Sequence, residues 1–169
     1  MVDITKNIEV INLVKLSLDE DIKQGDPTSE SLFPSRSQKG ELILILKEDA
    51  VVSGLKLFEY VFKKINSEIE FLTDNLDGFT KSGNIGILRG PIKSILKGER
   101  TALNFIQRMS GVASETFELS ELIRDLPVKI SDTRKTIPGW RILDKYSVLV
   151  GGGINHRFNL SDQILIKDN

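Results

Sequence analysis

The stretch DTRKTIPGW, residues 132–140, sets Arg134 beside Lys135, and GGGINHR, residues 151–157, places three glycines just ahead of His156 and Arg157. His156 is the chain's one histidine. Between Asp132 and Arg157 stand five Arg or Lys (134, 135, 141, 145, 157) against two Asp (132, 144), in a chain whose formal net charge is −1. The positive charge is therefore local. A guanidinium fork and an ammonium group suit carboxylate and phosphate oxygens. Such a cluster would bind an anionic small molecule and stabilise charge rather than act as a nucleophile. With no cysteine in the chain, thiol nucleophiles and thiolate metal sites are excluded. The few nearby carboxylates make no evident metal cage. The glycine run leaves two readings open, a helix C-cap with a turn or a phosphate cradle; it lacks the Lys-Ser/Thr pair of a P-loop.

These residues must be positioned by elements. Ile11, Val14, Leu18 and Ile22 recur at helical spacing, which predicts an amphipathic helix over 7–23, ended by the turn residues of GDPTSE. ELILILK, 41–47, reads as a strand, 55–65 as a helix after Gly54, 68–74 and 84–90 as strands, and 75–83 as a loop. This set predicts a small α+β layer with helices on one sheet face. Ala102, Phe105, Ile106 and Met109 mark one helix, and 115–126 a second one stopped by Pro127, with a domain boundary near 110–115. VKIS, 128–131, then reads as a strand, Ile142 to Val150 as a helix opened by Pro138-Gly139, and QILIK, 163–167, as the next strand. That is a βαβ unit with parallel strands. Binding sites of parallel α/β folds lie at the C-terminal strand ends, where this assignment puts Arg134, Lys135 and Lys167. It puts His156 and Arg157 at the opposite end unless their loop folds back.

Composition agrees with a globular chain of one or two small domains: 169 residues, 40% hydrophobic and 28% charged, with a pI of about 5.9. Nothing in the total charge suggests nucleic-acid binding. The first ten residues lack the basic and apolar regions of a secretory signal, and runs such as LILIL at 42–46 are too short to span a membrane. A cytoplasmic location suits this.

The stretch 132–169, DTRKTIPGWRILDKYSVLVGGGINHRFNLSDQILIKDN, resembles the quinolinate phosphoribosyltransferase family, the nicotinate-nucleotide pyrophosphorylases of NAD biosynthesis. Two more blocks agree in order, LDEDIKQGDPT at 18–28 and KGERTALNFIQRMSGVAS at 97–114, so the resemblance covers essentially the whole chain. It implies an α/β fold: an N-terminal α+β sandwich, here 1–112, followed by the start of an incomplete seven-stranded α/β barrel, here 113–169. It implies an enzyme joining quinolinate to phosphoribosyl pyrophosphate with Mg²⁺, yielding nicotinate mononucleotide, pyrophosphate and CO2. It implies a homodimer in which Arg100 of the GER segment reaches the partner's barrel. Arg134 and Arg157 would hold the quinolinate carboxylates, with Thr133 lining the pocket and His156 against the pyridine ring. Lys135 and Lys167 would be the catalytic lysines, Lys135 meeting the phosphoribosyl substrate and Lys167 contacting substrates at a strand end.

This sequence departs from the family in two ways. Asn159 stands where glycine is usual, and Asn tolerates positive φ, so the same backbone shape is expected. The family's motif also runs on beyond Asn169 through further βα units that carry the Mg²⁺ ligands and phosphate loops. The 169-residue chain is therefore expected to be an incomplete version, inactive alone. Two alternatives remain: a non-catalytic carboxylate-binding fragment, and a paralogue of the same fold associated with molybdate-transport operons, with a different substrate.

Overall fold

The structure, a computed structural model, describes residues 3–33, 35, 38–166 and 168. A single 3₁₀ turn, Ile4–Lys6, leads into α1, Ile8–Ile22, whose N-terminus is capped by the Asn7 side chain. Val10, Val14 and Leu18 form its buried stripe. GDPTSE is more than a turn. Asp26 accepts the Ser29 amide at 3.0 Å and Pro27 opens a short helix α2, Pro27–Leu32. Proline fits there because the first helical N–H has no partner to lose.

Among the described residues five strands follow: β1 Lys39–Leu46, β2 Ala50–Val52, β3 Glu70–Leu72, β4 Gly78–Thr80 and β5 Gly83–Pro91, with α3, Leu55–Ile65, between β2 and β3. β1, β5 and β3 form one antiparallel sheet in that order, and β2 pairs with β4 in a second. The expected loop over 75–83 therefore contains a strand: Gly78–Thr80 finds its ladder partner in Ala50–Val52. Three residues are too few to show alternation in sequence. α3 lies at the centre of the core, burying Leu57, Phe58, Val61 and Phe62 against Ile69, Leu88 and Ile95.

The chain then runs into α4, Ile92–Leu122, one continuous helix of 31 residues. This corrects the expectation of two helices separated near 110–115. Gly111 costs a helix interior only about 1 kcal/mol. The buried stripe Ile95, Ala102, Phe105, Ile106, Met109, Ala113 and Thr116 runs through that point unbroken. Packing carries the helix across the weak point. The two serines there also act on β2 and the residue that follows it: Ser114 Oγ accepts the Val51 amide at 2.9 Å and Ser110 Oγ the Ser53 amide at 3.0 Å. They satisfy the strand edge that β4 leaves open.

After α4 the chain reaches α5, Arg141–Val150, which packs back on α4. Trp140 stacks on Phe105, ring centroids 5.0 Å apart, and the Arg108 guanidinium lies 5.3 Å from the Trp140 ring while pairing with Asp144 at 3.1 Å. No helix among the described residues is long and apolar enough to cross a membrane.

Candidate functional site

Among the described residues the segment 128–131 forms no strand and makes a single parallel bridge, Ser131 to Ile154. The Ile154 amide donates to the Ile130 carbonyl at 2.9 Å and the Asp132 amide to the Ile154 carbonyl at 3.2 Å. The parallel neighbour is thus the stretch right after the glycines. It is not QILIK. Residues 163–166 take no strand pairing, and Ile164 and Ile166 are exposed. The Gln163 carbonyl is instead taken by the Arg157 guanidinium at 2.9 Å. Moving the parallel contact to Ile154 moves His156 and Arg157 as well. They leave the same end of the pair as Thr133 and Arg134, without any loop folding back.

The glycines make this contact possible. Gly151, Gly152 and Gly153 donate to the Ser147, Leu149 and Val148 carbonyls and end α5, with Gly152 at φ +88°. A Cβ on Gly153 would stand 2.7 Å from Val148 Cγ1 and 3.0 Å from Thr116 Cγ2. Of the two readings left open, the run is a helix cap and a close-packing device against α4.

A buried network joins the two cation-bearing segments. Lys145, fully buried on α5, pairs with Asp132 and donates to the His156 carbonyl at 2.7 Å. The same Asp132 oxygen accepts the His156 amide at 2.9 Å. Lys145, counted in sequence among the cluster's cations, is spent on this pair, as Arg108 is on Asp144. Arg141 donates to the Thr136 hydroxyl at 3.3 Å and the Phe158 carbonyl at 3.0 Å.

What remains open to a ligand is smaller and sharper. Arg134 is half-buried, and its Nε is buried without a hydrogen-bond partner. Lys135 and Thr133 are exposed, and Thr133 Oγ1 accepts the Lys135 amide at 3.0 Å, which fixes the turn between them. His156 is exposed, and its Nδ1 accepts the Arg157 amide at 2.7 Å. In the neutral ring the proton then sits on Nε2, which becomes the donor. Arg100 is exposed on α4, and among the described residues no hydrogen bond or ion pair joins it to this cluster. Lys167 lies outside the described residues. Asn159 does not adopt positive φ; its Oδ1 accepts from the Ser161 amide and hydroxyl and the Asp162 amide, at 2.7 to 3.1 Å. The side chain thus builds an Asx-type turn where glycine would need none.

Asp132, Lys145 and Asn155 were not singled out from sequence as structural partners. The signal was available: Lys145 falls between Leu143 and Val148 on the buried face of an amphipathic helix. A lysine there requires a carboxylate.

Comparison with known proteins bears on what this arrangement is. The model of the quinolinate phosphoribosyl transferase N-terminal domain matches residues 26–110, half of the chain, and that of the C-terminal domain matches 112–169. The probable nicotinate-nucleotide pyrophosphorylase (carboxylating) of Bacillus subtilis (strain 168) is 42% identical over 152 residues, 89% of this chain and 52% of the relative. Quinolinate phosphoribosyltransferase (decarboxylating) 2b, mitochondrial, of Nicotiana tabacum is 38% identical over 160 residues, 93% of this chain and 45% of that one. Among solved structures, NadC from Streptococcus pyogenes superposes with a TM-score of 0.93 at 37% identity, over 99% of this chain and 59% of that chain. Nicotinate-nucleotide pyrophosphorylase from Francisella tularensis gives a TM-score of 0.90 at 38% identity, over 99% and 60%. The chain spans about half the length of the curated relatives it matches. With two domain models following one another along it and its fold shared at this level, the chain belongs to the quinolinate phosphoribosyl transferase family.

Proposed function

We propose that this chain supplies the quinolinate pocket of a phosphoribosyltransferase that forms nicotinate mononucleotide, pyrophosphate and CO2 in NAD biosynthesis, working in the cytoplasm as a homodimer. One observation carries the proposal: the Ser131–Ile154 bridge and Asp132 bring Arg134 and the His156–Arg157 pair to the same end of two parallel segments. Arg134 and Arg157 take the two carboxylates of quinolinate, with Thr133 lining the pocket. Arg157 trades its hydrogen bond to the Gln163 carbonyl for a carboxylate oxygen. His156 packs against the ring with Nε2–H as a donor. Lys135 meets the pyrophosphate of the second substrate, and Lys167 contacts both. Arg100, exposed and away from its own cluster, serves the partner's pocket.

The chemistry needs alignment and charge compensation. Two anions approach each other only against cations already in place, and desolvation strengthens every such contact. The ring nitrogen lone pair attacks the sugar C1 as the C1–O bond to pyrophosphate breaks, and pyrophosphate leaves with that electron pair. The carboxylate beside the now cationic nitrogen departs as CO2. Its bonding pair stays on the ring carbon, stabilised by the adjacent positive charge, until a proton is taken up. None of these steps requires a protein nucleophile.

Mg²⁺ belongs to the proposal as the companion of the phosphoribosyl substrate. The described residues hold no group of three or more His, Asp or Glu that could bind a metal ion.

Titration calorimetry with quinolinate tests the proposal. Binding lost on R134A and on R157A, with folding intact, is the expected result. Unchanged binding in both variants contradicts it.

A further inference from the structure

The most deeply buried charge among the described residues is one that touches no open surface. The Lys145 side chain is 0% exposed and that of Asp132 is 6% exposed. The ammonium reaches the Asp132 carboxylate and the His156 carbonyl, and it lies 5.0 Å from the Phe158 ring. Asp132 also accepts the His156 amide. With the Asn155 amide nitrogen turned toward it, Asp132 takes a further hydrogen bond at 2.6 Å, and the same nitrogen donates to the Lys145 carbonyl at 3.0 Å. Three pieces of chain close one network: the end of 128–132, the middle of α5, and 155–158.

A buried ion pair is seldom more stabilising than apolar side chains of the same volume. Its presence here is explained by what it fixes. Arg134 leaves the backbone two residues after Asp132, and Arg157 one residue after His156. Both are anchored to one carboxylate, and that carboxylate is held by one ammonium.

We propose that Lys145 is a positioning residue: through Asp132 and the His156 carbonyl it sets the spacing of the two segments that carry Arg134 and Arg157, and it touches no substrate. The proposal deepens the quinolinate-pocket reading and rests on it for the identity of the ligand alone. A clamp of this kind acts on selectivity as well as on affinity. Two guanidiniums at fixed separation favour a dicarboxylate over a monocarboxylate, and displacement by about 1 Å costs a two-point contact up to about 100-fold.

The test uses K145M in the full chain, read by hydrogen exchange and by calorimetry with quinolinate and with nicotinate. The expected result has two parts. Exchange at 130–136 and 154–158 is faster by about tenfold or more while α3 keeps its protection, and the quinolinate-to-nicotinate affinity ratio falls by about tenfold or more. If K145M does not fold, the double variant D132L/K145M, which leaves no unpaired buried charge, is read for the same two quantities. Exchange at both segments equal to wild type, or faster exchange spread evenly over the whole chain, overturns the proposal. So does an unchanged affinity ratio in a folded variant. If exchange responds locally but the wild-type chain binds neither acid, the clamp stands and the ligand reading fails.

Discussion

Tyr146 donates its phenolic hydrogen to Asp77 across 2.7 Å, and the same carboxylate accepts the Gly54 and Leu55 amides at 2.7 and 3.0 Å. One side chain from the β3–β4 connection therefore caps α3, whose own N-cap residue is a glycine, and ties that cap to α5. The N-terminal layer and the helix under the cation cluster are joined through it.

Replacing Asp77 removes both functions. D77A is expected to lower the unfolding free energy by about 2 kcal/mol, combining the loss of a helix cap with a phenol left unpaired. Urea unfolding measures it, and D77N, which can still accept from an amide, is expected to recover part of the loss.

Burial, and then the Asp77 carboxylate, push the Tyr146 hydroxyl well above the usual tyrosine range. Below pH about 10 the phenol is protonated in the folded and unfolded chains alike. Above it the unfolded chain ionises first, so the folded state loses stability as pH rises. The melting temperature of the wild type is expected to fall more steeply than that of Y146F above pH about 10. Parallel curves contradict this.

Ser110 and Ser114 close the open edge of β2. S110A and S114A each leave a backbone N–H of that edge unpaired and are expected to cost about 1–2 kcal/mol. Faster exchange of the Val51 and Ser53 amides, with the rest of the chain unchanged, identifies the cause.

How far the elements could be read from sequence followed their length and periodicity. Val10, Val14 and Leu18 repeat along α1, and α3 is bounded by Gly54 and Ile65 as its apolar spacing predicts. β2 and β4 are three residues each and owe their existence to one another and to α4 serines 57 and more residues away, which no local pattern encodes. The continuity of α4 through Gly111 was hidden for the opposite reason: the local signal is a break, and buried packing overrides it.

The cation cluster was visible as composition, but its geometry was not. QILIK has strand-like residues, and nothing local shows that the parallel partner of Ser131 is Ile154. Gly151 and Gly153 are small because α4 runs against them, a fact of tertiary packing. The pairing of Lys145 with Asp132 lay within reach, since a lysine on a buried helix face calls for an acid nearby.

The closeness of that packing gives another expectation. G153A places a methyl against Val148 and Thr116 and is expected to cost about 1–3 kcal/mol. It should also loosen the Ile154 bridge, which exchange of the Ile154 amide reports.

The proposed quinolinate site requires Arg134, His156 and Arg157 to act together on one dicarboxylate. Following backbone and side-chain NMR signals through a quinolinate titration tests it most directly. The expected result is saturable shifts confined to residues 132–136 and 155–158, with the Arg134 and Arg157 guanidinium signals moving together at one dissociation constant. Shifts centred elsewhere, or two arginines that respond at different concentrations, would contradict it.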